Sequence, residues 1–419
     1  MADVKEYRFH DVQKCKLCGD CLSKCPEMSL PLETARREKE KINRGEMSDS
    51  VSLSCTACFD CDDFCPNDAA PCETIMDYWQ REYHTRGLLE RARYFLPMQK
   101  LNFRSYILER LPADEKEMVA KWDDKSPCSE FIYPGCNVTT VPYLTKTSLL
   151  PPIPIRGGLD WCCSETFFRM GYYDLAAVQG KKMQARFAEM GAREILMMCT
   201  AGTFCFTKML PERLGIKFDA KFKPLVRYLW EQLESGQIKV VNKLKLRATV
   251  QDSCYSKFLE PEYLMLPRKI LEHIGVEVVE MPRSKERMVC CGIGAGFSMR
   301  SNYNTARITL STLKRIHEAR RTGADLLCVY CAGCMQMLGS GSLFYPNAPQ
   351  IYHLLELVQM AAGEQPLRRI GSRVKTMLKW IINFRLRCGR LKRVRKAAPS
   401  LRAKCCRIPV LVIQYGFSF

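Results

Sequence analysis

Two cysteine runs near the start restrict this chain more than anything else in it. They are CKLCGDCLSKCP, from Cys15 to Pro26, and CTACFDCDDFCP, from Cys55 to Pro66. Both read C-x2-C-x2-C-x3-C-P without a mismatch. Three cysteines at this spacing can hook one centre from a single tight loop, and the proline then ends the loop and turns the fourth thiol away. The chain has 24 cysteines in 419 residues, whereas disulfide frameworks belong to small secreted domains. Its opening, MADVKEYRFH, has charges where the apolar segment of a signal peptide would stand. No run of about 18 apolar residues reads as a membrane-spanning helix. The expectation is a reduced, cytoplasmic protein whose clustered cysteines serve metal or redox chemistry.

The runs resemble those that bind [4Fe-4S] cubanes in two-cluster ferredoxins, where the fourth cysteine of each run ligates the other cluster. The resemblance implies that Cys15, Cys18, Cys21 and Cys65 hold one cube, and that Cys55, Cys58, Cys61 and Cys25 hold the other. The alternative is a pair of zinc sites, but zinc takes four ligands in C-x2-C pairs and fits these runs poorly. The spacer LPLETARREKEKINRGEMSDS reads as helical in its first half, and CETIMDYWQREYHTRGLLERARYF as a further helix. Such a long helical spacer is similar to the α-helical ferredoxin domains of succinate dehydrogenase and heterodisulfide reductase. Cys72 lies outside both runs and reads as a packed thiol.

After a linker over 96–127, the chain repeats itself. YPGCN at Cys136, LDWCCSETFFRMG at Cys162 and Cys163, and GAREILMMCTAGTFC at Cys199 are followed by QDSCYS at Cys254, MVCCGIGAGF at Cys290 and Cys291, and GADLLCVYCAGC at Cys331 and Cys334. Gly191-Ala192 precedes Cys199 as Gly323-Ala324 precedes Cys331. Further on, Pro224, Leu229 and Glu231 register with Pro349, Leu354 and Glu356. A repeat of this length means one α/β unit used twice, over 128–245 and 246–364. Adjacent cysteines make poor disulfides, because neighbouring Cα atoms are about 3.8 Å apart and a bridge usually needs roughly 4.4 to 6.8 Å. Two thiolates facing one metal centre suffer no such strain.

This pattern behind a two-cluster domain resembles the cysteine-rich CCG-domain family. That family includes D-type heterodisulfide reductase subunits, the C-type subunit of anaerobic glycerol-3-phosphate dehydrogenase and the lactate-utilisation iron–sulfur oxidoreductases. The fold class implied is α+β and multidomain. It comprises an N-terminal α-helical ferredoxin domain (1–95), a duplicated α/β CCG domain and a basic helical tail (365–419). The resemblance also implies a further, non-cubane [4Fe-4S] cluster in the second repeat on Cys254, Cys290, Cys291, Cys331 and Cys334, where catalysis would occur. Gly292, Gly294 and Gly296 would leave room for it. The first repeat offers Cys136, Cys162, Cys163 and Cys199 but has Gly202 where Cys334 stands, with Cys205 three residues on. Three readings compete: Cys205 substitutes, four ligands suffice, or the site is a relic.

GIGAG lacks the G-x-G-x-x-G spacing of a dinucleotide loop, and no flavin or nicotinamide site is visible, so electrons would have to pass through a partner. The implied function is an iron–sulfur electron-transfer oxidoreductase subunit, heterodisulfide reductase-like. It would link a flavoprotein dehydrogenase or electron-transfer flavoprotein to a disulfide or a quinone. The alternative is a non-enzymatic, metal-stabilised binding protein with its tail on nucleic acid; no recognised nucleic-acid fold supports this, and nucleic acid is not the expected partner. Of the net charge of +19, the last 55 residues contribute 15 Lys and Arg and no acids. Val374, Met377, Leu378, Ile381 and Ile382 make one apolar helical stripe there, with Trp380 beside it. That is the pattern of a helix lying on an anionic membrane surface, the inner face of the cell membrane, or of a helix docked on the body.

Overall fold

Parallel strands can be joined only by crossovers that lie over the sheet, and from residue 128 onward the chain alternates short apolar strands with helices. The computed structural model describes residues 10–46, 48–86, 95–97, 102–260, 262–296 and 305–396. Strands β1 (Glu130–Tyr133), β2 (Glu194–Met197) and β3 (Lys221–Pro224) form a parallel sheet in that order, with Glu130 opposite Glu194 and Glu194 opposite Lys221. Strands β4 (Leu246–Gln251), β5 (Val276–Val278), β6 (Leu326–Val329) and β7 (Gln350–His353) form a second parallel sheet in the order β5-β4-β6-β7. All four β6 residues are buried, as a strand covered on both faces requires.

The two sheets share one plan. The adjacent strands β1 and β2 of the first correspond to β4 and β6 of the second. Where the second repeat has β5, the first keeps a single parallel bridge from Ile132 to Ile155. The expected register of Pro224 with Pro349 is four residues off. Pro224 ends β3 and precedes the helix Leu225–Glu234, whereas His353 ends β7 and caps the helix Leu354–Ala361. A four-residue shift is about one helical turn and keeps the apolar face in phase. Sequence periodicity alone could not have separated the two registers.

In the N-terminal part, both cysteine runs follow the same backbone path. Leu17 and Ala57 have positive φ, as do Gly19 and Phe59 two residues later, just before the short helices Asp20–Ser23 and Asp60–Asp63. Phe59 holds a conformation costing roughly 1–2 kcal/mol for a non-glycine residue, with its side chain fully buried. The spacer forms the helix Leu32–Asn43, and Pro71–Arg86 is also helical.

The C-terminal helix, Ile370–Lys396, is docked on the body over its first half, the second of the two arrangements expected for it. Val374, Met377 and Trp380 are buried, and the Trp380 ring lies 5.9 Å from those of both Phe95 and Phe103. Only the edge of the expected stripe faces out, with Ile382 exposed. Glu115, 0% exposed, accepts from both Arg369 and Arg373. Residues 397–419 lie outside the described part. Among the described residues no helix is long and apolar enough to cross a membrane.

Breaking a buried pair strands its partner charge, at about 3 kcal/mol or more. Glu115→Ala should therefore lower stability in urea by about that amount, and trypsin should release the C-terminal helix faster. Unchanged stability and cleavage would mean that the helix is held by its apolar face alone.

Candidate metal centres and their junction

The second cysteine loop closes around a cavity lined by Cys55, Cys58 and Cys61, by Cys25 from the first run, and by Leu22, Met28, Ile42, Phe59 and Ile75. These four cysteines are the residues implied for the second cube, while Cys15, Cys18 and Cys65 do not line this cavity. Cys21 shares its surroundings with Cys15 and Cys18 and also reaches this cavity. Cys65 accepts from the Ala69 N–H at 3.4 Å. Cys72 is buried and lines the same cavity next to Cys55 and Cys61, so it packs directly against the candidate ligands. Among the described residues, no three Cys, His, Asp or Glu side chains converge on one point as ligands of a single ion would. A cube places each thiolate on a different iron, and sulfurs spread around a void suit that arrangement.

In the second repeat Cys254 and Cys331 stand at the carboxyl ends of the two central strands, the usual place for a site in a parallel sheet. Cys254 follows β4, and Cys331 follows β6 as the N-cap of the helix Ala332–Ser342. Cys254, Cys291, Cys331 and Cys334 line one cleft with Arg169, Glu165 and Tyr255. Their thiols lie next to one another in the order Cys290, Cys291, Cys334 and Cys331. Burial pushes the Cys254 thiol up to about 11, with Arg169 pulling it back. A shell of buried thiols around a cleft suits a cluster whose iron replaces their protons.

Two of the three glycines lie directly against other segments of the protein. A Cβ on Gly292, at φ +113°, would lie 2.1 Å from Thr312 Oγ1. One on Gly294 would lie 2.1 Å from the Thr56 carbonyl oxygen and 2.5 Å from Arg169 Nη2. Gly292 thus makes room for a helix, and Gly294 for the ferredoxin-like loop. Gly296 is buried at the end of the turn Ile293–Gly296.

That contact is part of a junction whose central residue is Arg169, from the helix Glu165–Arg169 of the first repeat. Its guanidinium, 2% exposed, donates through Nη2 to the Thr56 carbonyl at 2.7 Å and to Cys290 Sγ at 3.4 Å, and through Nη1 to Cys254 Sγ at 3.6 Å. Burial works against its charge, but the Cys254 and Cys290 sulfurs hold it protonated. Lys257 reaches Asp60 at 3.3 Å, and Phe59 packs against Phe168, Tyr255 and Phe258. Sequence reasoning missed Arg169; its only signal was one cation in the apolar stretch TFFRMG.

In the first repeat, Cys162, Cys163, Cys199 and Cys205 are buried and Cys136 is partly so. Outside the candidate sets, Cys328 is buried on β6 and Cys128 donates to the Glu130 carbonyl at 3.1 Å.

Comparison with known proteins defines the class. Residues 8–66 match the 4Fe-4S dicluster domain and residues 248–339 match the cysteine-rich domain named CCG. The chain is an iron–sulfur protein that joins these two domains, and the zinc alternative is set aside. Among its relatives is the D-type subunit of the dihydromethanophenazine:CoB–CoM heterodisulfide reductase of Methanosarcina barkeri, 28% identical over 49% of this chain and 51% of that protein. The probable iron–sulfur-binding oxidoreductase FadF of Bacillus subtilis is 30% identical over 34% of this chain and 20% of its own length. EtfAB:quinone oxidoreductase of Syntrophomonas wolfei is 23% identical over 44% and 26%. The chain thus spans about half of the first relative and a smaller share of the other two.

A buried cation favours the more negative, reduced state of a centre beside it. Arg169→Gln should lower the potential of the second-repeat centre by on the order of 90 mV, corresponding to about 2 kcal/mol of lost interaction, without changing iron content. A redox titration followed by electron paramagnetic resonance reads this; an unshifted potential would leave Arg169 a purely structural role.

Proposed function

We propose that the chain is an electron-transfer subunit that carries electrons between a flavoprotein partner at its dicluster domain and an acceptor at the second-repeat cysteines. Iron–sulfur clusters in these two places would supply one-electron carriers. The observation that carries this reading is the junction itself. One guanidinium touches both the Thr56 carbonyl, between two cysteines of the dicluster loop, and the sulfurs of Cys254 and Cys290. Gly294 lets the loops meet without side chains between them, and the apolar ring of Phe59 keeps water from the contact.

A quinone is the acceptor that the surroundings favour over a soluble disulfide. Phe95, Phe103, Ile293, Met337 and Met377 line both the cysteine cleft and an adjoining apolar groove, which continues along Ile308, Phe344, Leu378, Trp380 and Ile381. Such a wall suits a lipophilic ring and tail. The charged groups of the cleft are already engaged: Arg104 donates to Asn137 and the Phe95 carbonyl, and Glu165 accepts from Tyr255. A small disulfide with ionised ends would find less to hold it.

The anaerobic, reduced protein should be reoxidised rapidly by a short-chain quinone and slowly by oxidised glutathione. Cys58→Ser should abolish delivery of electrons from a reduced flavoprotein to the quinone, and Gly294→Ala should slow it at least tenfold by pushing the loops apart while cubane signals persist. Faster oxidation by the disulfide would reverse the choice of acceptor. Full delivery in Cys58→Ser would remove the proposed route.

A further inference from the structure

The first repeat lacks the C-x2-C that ends the second, yet the rest of its site is built to the same plan. Cys199 and Cys331 are both N-cap residues with nearly the same backbone, φ/ψ −121°/114° and −130°/121°. At the end of β1 the Tyr133 hydroxyl donates to the carbonyl of Trp161, the residue before the cysteine pair. At the end of β4 the Gln251 amide donates to the carbonyl of Val289, in the same place, at 3.1 Å. A buried arginine bears on the same two cysteines in each repeat: Arg104 on Cys136 and Cys162, and Arg169 on Cys254 and Cys290.

The last cysteine is where the copies diverge. Cys334 lies beside Cys291, the second of its pair, and Cys205 lies beside Cys163, the second of the other pair. Cys205 stands three residues beyond Gly202, which occupies the position of Cys334. Three residues are nearly one helical turn, so Cys205 projects from much the same face about 4.5 Å further along. The Gly202 position is itself crowded, since a Cβ there would meet Met197 Cε at 3.2 Å and Tyr133 Cε1 at 3.3 Å. The helix Thr200–Phe204 gives way at Cys205 to a π-helix, Cys205–Arg213. A wider turn of this kind re-aims side chains and is frequent at functional sites.

We propose that the first repeat holds an iron–sulfur cluster of its own, on Cys136, Cys162, Cys163, Cys199 and Cys205, with Cys205 doing from one turn further along what Cys334 does in the second repeat. The inference rests on the iron–sulfur reading above but not on the choice of donor or acceptor.

Iron and acid-labile sulfide counts on the anaerobically prepared full chain test it. Four clusters predict about 16 irons, against about 12 if the first repeat is empty. Cys205→Ala should lose about four irons and one set of paramagnetic signals while the dicluster signals remain. Cys328→Ala, which removes another fully buried thiol, should lose none, so the pair separates ligation from packing. A native count near 12, or a wild-type count in Cys205→Ala, overturns the inference and leaves the electron-transfer reading standing. A native count of four or fewer removes both. Should Cys205→Ala fail to fold, the native count alone decides.

Discussion

The buried charge of Arg169 ties together the dicluster loop and both repeats, beside the Lys257–Asp60 pair and the rings packed around Phe59. An arginine almost without solvent contact persists only where acceptors surround it, because an unpaired buried charge costs several kcal/mol. Its acceptors come from the dicluster loop at Thr56 and from Cys254 and Cys290 in the second repeat, while its own helix belongs to the first repeat. Three segments far apart in the chain are therefore held around one guanidinium. Gly294 and the strained Phe59 follow from the same need, one by omitting a side chain where the loops touch and the other by turning its ring into the aromatic cluster beside them.

Duplication supplies two similar cysteine sites, and their surroundings make them unlike. The second opens into a cleft that runs on into an apolar groove, one wall of which is the C-terminal helix. That helix was expected either on a membrane surface or on the body. Its Val374, Met377 and Trp380 face is spent on Phe95, Phe103 and their neighbours, with Glu115 accepting from two of its arginines. The helix thus shapes the entrance to the site instead of presenting its whole stripe outward.

Much of the chemistry was legible because it depends on local spacing. The C-x2-C-x2-C-x3-C-P runs place thiols within a few residues of one another, and the C…CC…C-x2-C pattern places them after three successive strands of one repeat. The geometry they impose varies little with context. Periodicity was a weaker guide. A shift of one helical turn preserves the apolar face, so periodicity alone sets the helices after β3 and β7 four residues from the register of the strands.

What the sequence by itself determined is which cysteines are spaced for iron–sulfur ligation and that the α/β unit occurs twice; both are patterns of spacing along the chain. Only the tertiary structure decided what the glycines make room for, which cation bridges the dicluster loop and the second repeat, and where Cys205 reaches. Each of those is a contact between segments tens to hundreds of residues apart. Arg169, Thr56 and Cys290 carry no shared pattern along the chain, since what relates them is a guanidinium that must find acceptors once water has been excluded.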